Sequence, residues 1–367
     1  PGTGKTHVVA ARVVELLKLP ANVAKKDFVP RGILALTFTH AAALTLRQRV
    51  ESLIPIDRSA RGAAQRSYEI CTMHSFARQA VAEYHLLLGL PHQPTVLSRA
   101  EQSLFISRIL HRLPLRYYAA STGLQLADSS VGTADAARVL VPAAGNADTR
   151  RFVGGLIAFF GQLQERGITA EAYDTFLRQW ISNRNPSGEL VGKIQEGDQE
   201  LYERAMELCG CYRQYERLKR EQGLIDMGDM ILQLHELLKH HSSAALELAG
   251  RFDHIVVDEF QDLSPVQLAV VEQLWAARNA ISDAESQGGK ELPAGVESGT
   301  EVLGVGCRTD STTAAPSGSQ PSLLVVGDDE QAIFQWRLGV HHHHYSSLGP
   351  LACPIGPFNC RCKVWVL

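Results

Sequence analysis

Two hydrophobic rhythms divide the chain. Over residues 1–90, short apolar runs alternate with amphipathic stretches: a helix from Lys5 in "KTHVVAARVVELLK", a strand in "ILALTFT" (Ile33–Thr39), a helix in "AAALTLRQRVESL", then "EICTMHSF" running into a further helix near Ser75. That alternation predicts a parallel α/β sheet. From about Pro91 to Gly223 apolar positions recur at helical spacing with almost no strand runs, as in "EQSLFISRILHRL" and "QELYERAMELCGCYRQYERLKREQ". This stretch predicts a helical domain inserted into the sheet domain. Strand character returns in "HIVVDEF" (His254–Phe260), a buried-strand run ending in acids, and in "SLLVVGDDEQ".

The expected organisation is therefore a sheet domain in two parts, residues 1–90 and 224–339, around a helical insertion at 91–223. Within the second part, residues 277–322 are rich in Gly, Ser, Thr, Ala and Pro and poor in aromatics. Such a segment buries too little apolar surface to offset its chain entropy, so it is expected to be a disordered insertion. The tail, residues 340–367, has neither period nor clear element and is expected to be unrelated and disordered.

At 367 residues and 45% hydrophobic, the chain is long enough for a sizeable core in two or three units. No apolar run reaches the roughly 18–20 residues of a membrane span, so no membrane partner is expected. Seven scattered cysteines suit a reducing compartment, and the expected location is intracellular, in nucleus or cytoplasm. Cys353, Cys360 and Cys362 match no standard zinc spacing, Cys209 and Cys211 sit in a helical run and read as packing, and His240–His241 reads as a helix C-terminus. The net charge of −3 hides an asymmetry: residues 1–120 hold 16 Lys and Arg against 7 Asp and Glu, and the remainder holds 20 against 32. A basic N-terminal third suits a phosphate-rich partner.

The chemistry begins at once, in "PGTGKT" (Pro1–Thr6). The full phosphate-loop pattern would start two positions before Pro1, so the chain carries its second half. Gly2, Thr3 and Gly4 let backbone N–H groups close around a β-phosphate, Lys5 reaches the β/γ oxygens, and the Thr6 hydroxyl suits Mg²⁺. The helix that follows turns the positive end of its dipole to the same anion. In "VVDEFQD" the carboxylates of Asp258 and Glu259 stand at the carboxyl end of a buried strand, where α/β sheets place their sites. In a nucleotide hydrolase the first such acid holds Mg²⁺ and the second polarises the attacking water. ATP and Mg²⁺ are the cofactors these motifs imply.

Taken in order, these and four further stretches resemble the superfamily 1 DNA helicases of the UvrD/Rep/PcrA kind. "PGTGKT" is similar to motif I, "LTFTHAAALTLRQRV" to motif Ia, "TMHSFARQAV" to motif Ib, "VVDEFQDLSPVQ" to motif II and "LLVVGDDEQAIFQWRLG" to motif III, with "LIDMGDMI" like the acidic stretch before motif II. The resemblance implies a RecA-like P-loop NTPase sheet with an inserted helical subdomain. It also implies ATP hydrolysis coupled to 3′ to 5′ movement on single-stranded DNA and at single-strand/duplex junctions, in DNA repair. On it, Lys5, Glu259 and Gln331 are catalytic, Gln331 sensing the γ-phosphate. Phe38, Phe334 and Trp336 become stacking platforms with Arg337 beside them, and Thr72, His74 and Ser75 phosphate contacts. Departures are Leu263 after "DEFQD", Phe334 in place of Tyr, and the long stretch between motifs II and III. Nothing after Gly339 resembles motifs IV to VI, so a fragment lacking the second motor domain, with little activity alone, is expected. Two rivals stay open: the motor of a RecB-like helicase-nuclease, and a non-catalytic binding module that keeps the site as a relic.

Overall fold

The computed structural model describes residues 5–18, 32–54, 68–118, 124–126, 140–142, 147–184, 196–286, 321–327 and 363–366. It divides into two compact units, Pro1–Leu88 with Gln233–Leu367, and Gly89–Leu232. The first unit opens with α1 (Lys5–Lys18), β1 (Gly32–Thr37), α2 (His40–Leu53), β2 (Tyr68–Thr72) and α3 (Met73–Glu83). The second contains β3 (Thr95–Leu97), α4 (Arg99–Ile109), β4 (Leu124–Leu126), β5 (Leu140–Pro142), α5 (Ala147–Glu165), α6 (Ala170–Arg184), α7 (Glu196–Glu221) and β6 (Leu224–Asp226). The boundary falls within α8 (Met227–His240), and the first unit resumes with α9 (Ser242–Ala249), β7 (Phe252–Val257), α10 (Pro265–Ser286), β8 (Ser322–Gly327) and β9 (Lys363–Val366).

The sheet of the first unit has the order β2-β1-β7-β8-β9, the first four strands parallel and β9 antiparallel to β8. Apart from Gly32 and Ser322 at their first positions, β1, β7 and β8 are buried throughout. Burial on both faces is the reason they read as continuous apolar runs. Ile33, Ala35, Ile70, Val256, Leu324 and Val326 meet Val9, Val13 and Val14 of α1 and Ala43, Leu46 and Val50 of α2. Each such aliphatic side chain contributes about 1.5–3 kcal/mol when fully buried. A buried ion pair, Arg278 Nη2 to Asp253 Oδ1 at 2.8 Å, joins α10 to β7.

Two expectations need correction here. Residues 277–286 are not part of a disordered insertion but the last turns of α10, with Arg278 held on Asp253 and Ala-rich sequence that favours helix. At the far end of the segment Ser322 opens β8, and 287–320 lie outside the described residues. Secondly, the tail contains an element. Lys363–Val366 pair with Gly327–Leu324 as an edge strand, built from a Val-Trp-Val run of high strand propensity. Residues 340–362 lie outside the described residues.

The second unit is mainly helical, with β3 and β6 paired in parallel and β4 and β5 antiparallel. Its core is aromatic: Phe160 of α5 stacks on Tyr212 and Tyr215 of α7 with centroids 5.1 and 5.0 Å apart. Cys209 and Cys211 are buried free thiols in α7, as their helical context implies, and burial pushes the Cys211 thiol up to about 12. Beside this core lies a fully buried ammonium. Lys219 Nζ donates to Asp226 Oδ2 at 2.7 Å and Asp229 Oδ2 at 2.6 Å, and lies 2.9 Å from Glu216 Oε1. Asp226 also accepts from Tyr215 Oη (2.7 Å), Gln102 Nε2 (3.3 Å), Gln164 Nε2 (3.0 Å) and the Asp229 amide (2.9 Å). Asp229 accepts from Gln164 Nε2 (2.9 Å) and the Asp226 amide (2.7 Å). Burial disfavours the ammonium, but the carboxylates of Asp229, Glu216 and Asp226 hold the Lys219 pKa well above the usual range. The three acids bring oxygens within 4.8 Å of one another, and the cation among them is Lys219.

Candidate active site

The site forms where parallel strands end and helices begin, all within the first unit. Lys5 is the first residue of α1 and is buried. Its Nζ donates to Glu259 Oε2 at 2.8 Å, across 254 positions of sequence. Thr6, one residue on, is half-buried in the first turn of the same helix.

Asp258 follows the last residue of β7, and its amide continues the strand ladder by donating to Leu36 O of β1 at 2.9 Å. Its carboxylate is buried and accepts the Glu259 amide at 3.0 Å. Burial, then the charge of Glu259, pushes the Asp258 carboxyl up to about 6, with Lys5 drawing it back in part. A buried carboxylate this poorly compensated suits a cation, and Asp258 and Thr6 are the residues that would hold Mg²⁺.

Glu259 has φ 51° and ψ 47°, and among the described residues it is the one non-glycine with positive φ. Left-handed backbone at a non-glycine residue is strained, and it persists where the surroundings over-determine it. Here the chain turns at once into a single 3₁₀ turn, Phe260–Asp262, closed by the Asp262 amide donating to Glu259 O at 2.9 Å. Gln261 Nε2 comes back over that turn to donate to Glu259 Oε2 at 2.7 Å. Asp262 Oδ1 is buried without a hydrogen-bond partner among the described residues, and burial followed by the Glu259 charge raises its carboxyl. After the turn, Ser264 and Gln267 cap α10 reciprocally: Gln267 Oε1 accepts the Ser264 amide (2.9 Å) and Ser264 Oγ accepts the Gln267 amide (3.4 Å), with Pro265 as first helical residue.

The candidate DNA contacts occupy the same edge. Phe38 follows the last residue of β1 and is 37% exposed. Thr39 Oγ1 caps α2 by accepting the Ala42 amide at 3.0 Å. One strand over, Thr72 is buried and its hydroxyl caps α3, accepting the Ser75 amide at 3.2 Å and lying 2.9 Å from Ser75 Oγ. Thr37 and Thr72 are register partners, so the N-termini of α2 and α3 lie side by side. His74 sits in the first turn of α3, its pKa lowered by burial and then by His40, so it is a neutral imidazole at pH 7. Gly2, Thr3, Gly4, Gln331, Phe334, Trp336 and Arg337 lie outside the described residues. The structure thus joins Lys5, Asp258 and Glu259, keeps Phe38, Thr72, His74 and Ser75 on the neighbouring strand ends, and adds Gln261 and Asp262. Those two stand in the same "DEFQD" stretch, but nothing in its period shows that Gln261 doubles back.

A family model described as the UvrD/REP helicase N-terminal domain matches residues 1–285. The chain belongs to the UvrD/Rep helicase family. The RecA-like P-loop NTPase fold inferred from the motifs is accordingly that of this family. The chain is similar to DNA helicase II of Salmonella typhimurium, 21% identical over 337 residues, covering 92% of this chain and 31% of the relative. It is also similar to a probable DNA helicase II homolog of Rickettsia conorii, 26% identical over 339 residues, covering 92% of this chain and 35% of the relative. The ATP-dependent DNA helicase srs2 of Schizosaccharomyces pombe is 25% identical over 285 residues, 77% of this chain and 26% of that protein. The chain therefore spans about a third of the UvrD/Rep relatives it matches. Among the described residues no helix is long and apolar enough to cross a membrane.

Proposed function

We propose that this chain is the nucleotide-binding and strand-contacting part of an ATP-dependent DNA helicase that couples ATP hydrolysis to movement on single-stranded DNA. The observation that carries the reading is the meeting of Lys5, Asp258 and Glu259 at the carboxyl edge of one parallel sheet. Lys5 Nζ donates to Glu259 Oε2, and a triphosphate entering at the N-terminus of α1 would offer the ammonium a stronger partner. Glu259, relieved of Lys5, is then placed to accept a proton from the attacking water, while Asp258 and Thr6 are the residues that would hold Mg²⁺. Gln331 is read as the γ-phosphate sensor. Movement in the 3′ to 5′ direction, a preference for single-strand/duplex junctions and a role in repair rest on the family likeness.

For the strand, Phe38 presents an aromatic face that ignores base identity, as a motor on mixed sequence needs, and Phe334, Trp336 and Arg337 are assigned the same task. The paired N-termini of α2 and α3 favour phosphate, with Thr72, His74 and Ser75 in their first turns. The test is to titrate the chain with a fluorescent ATP analogue plus Mg²⁺ and, separately, with labelled oligo-dT. Lys5→Ala should abolish nucleotide binding. Phe38→Ala should weaken DNA binding by about 1–3 kcal/mol and leave nucleotide affinity unchanged. An intact nucleotide affinity in Lys5→Ala would overturn the reading. DNA binding without any nucleotide binding would favour the relic module instead.

A further inference from the structure

The Glu259 carboxylate has two donors on one oxygen. Lys5 Nζ reaches Oε2 at 2.8 Å and Gln261 Nε2 reaches the same Oε2 at 2.7 Å, while neither takes Oε1. A bound triphosphate would claim the lysine. Gln261 is neutral, so phosphate charge does not draw it as it draws an ammonium, and it stands in the 3₁₀ turn that Glu259 opens.

A second, independent observation concerns the space in which the Gln261 amide lies. Gly327 ends β8, which pairs in parallel with β7, so its Cα stands beside the turn that follows β7. A Cβ at position 327 would fall 2.7 Å from Gln261 Oε1 and 3.5 Å from both the Gln261 amide nitrogen and Phe260 Cβ. Gly327 has no positive φ, so the position calls for glycine on grounds of room and not of backbone conformation. The atom it would strike first is the far end of a flexible side chain, which would swing aside and take its Nε2 off Glu259.

We infer that Gln261 is a positioning residue for Glu259, that Gly327 provides the space it requires, and that the amide keeps the carboxylate in place when nucleotide draws Lys5 away. The inference rests on the nucleotide reading above and deepens it. Without Gln261, Glu259 would keep only the Lys5 ammonium on its Oε2, and a triphosphate that drew Lys5 away would leave that oxygen facing phosphate charge. Nucleotide binding is therefore weakened, and the proton-accepting oxygen loses its fixed direction.

The experiment measures the affinity of a fluorescent ATP analogue with Mg²⁺ for the chain and for Lys5→Ala, Gln261→Ala, Gly327→Ala and the Gln261→Ala/Gly327→Ala double variant. Gln261→Ala is measured again in a Glu259→Gln background, and melting temperature is recorded throughout. Gln261→Ala and Gly327→Ala should each raise Kd roughly three- to tenfold, the range for a typical net hydrogen bond. The double variant should be no worse than either single one, and the melting temperatures should not move. In the Glu259→Gln background, where no negative charge needs holding, Gln261→Ala should change Kd less than about twofold. If the chain binds nucleotide and Lys5→Ala abolishes it, yet Gln261→Ala and Gly327→Ala bind normally, the inference falls and the nucleotide reading stands. An equal loss in both backgrounds, or a drop in melting temperature, would make Gln261 a merely structural residue. No binding by the unaltered chain would overturn the nucleotide reading and this inference with it.

Discussion

Among the described residues two lysines are buried among carboxylates, one in each unit, and they are finished to different degrees. Around Lys219 the oxygens of Asp226 and Asp229 are filled by Gln102, Gln164, Tyr215 and two backbone amides as well as the ammonium. Around Lys5 the acids are under-served. Asp258 has one amide and a raised pKa, Glu259 stands on left-handed backbone, and Asp262 Oδ1 is buried without a partner among the described residues. Both groups would score alike on burial and charge. Hydrogen-bond saturation among the described residues separates them: the group around Lys219 is filled from within the protein, and the one around Lys5, on the nucleotide reading proposed above, keeps oxygens for a ligand.

The largest expected effect comes from deleting the two ammonium groups in turn. Lys219→Met strands Asp226 and Asp229 in the interior and should destabilise by about 3–5 kcal/mol, as removal of one buried ion-pair partner does. Lys5→Met should cost about 1 kcal/mol or less, because Glu259 is one-third exposed and keeps Gln261. Chemical unfolding of both variants measures the contrast, and equal losses would erase it.

Next in size is Asp258→Asn. Asparagine keeps the oxygen that accepts the Glu259 amide and removes a charge that burial disfavours. The folded carboxyl titrates at about 6, above its unfolded value, so between those two values the folded state holds the extra proton. Stability due to this group is therefore greatest at low pH and is lost as pH rises to about 6. Asp258→Asn should thus stabilise the chain by on the order of 2–3 kcal/mol at pH 7.5 and by almost nothing near pH 4. Urea unfolding at the two pH values gives the answer, and a loss of stability at pH 7.5 would contradict it. In the unaltered chain, Mg²⁺-dependent nucleotide binding should fall as pH drops through about 6, because the protonated carboxyl no longer offers a ligand charge.

The smallest effect sharpens the comparison from the other side. Beside the saturated group, the Tyr212 hydroxyl is buried with no hydrogen-bond partner among the described residues. Tyr212→Phe should be neutral or stabilise by up to about 1 kcal/mol, since it removes an unsatisfied polar atom and keeps the ring that stacks on Phe160. A loss above about 1 kcal/mol, read from denaturation curves, would mean that the hydroxyl has a role in the cage.

What was legible in the sequence follows from how local each signal is. Lys5 was visible because a Gly-Lys-Thr turn has one common use, and Asp258 and Glu259 because a buried apolar run that ends in acids is conspicuous. The four parallel strands β1, β2, β7 and β8 and the helical insertion announced themselves by period. The Lys219 group did not, because its members come from α4, α5, α7 and the β6–α8 turn, and no spacing links Gln102 to Asp226. β9 escaped for a related reason: four residues show no period, and its partner lies far back in the chain. The end of α10 was misread because alanine and serine lower aromatic content as they do in disordered segments, while Arg278, which anchors the helix, finds its acid on β7.

The backbone at Glu259 also bears on mutational drift. A codon for glutamate becomes one for glycine by a single base change, and that change would relieve the left-handed strain at φ 51°. A codon for aspartate becomes one for asparagine as easily, and at position 258 that change would remove a buried charge. The second step leads downhill in folding free energy, whereas the first also removes the carboxylate to which Lys5 Nζ and Gln261 Nε2 donate, which offsets the relief of strain. This chain keeps the buried acid at 258 although asparagine would fold more easily, as the nucleotide reading proposed above requires.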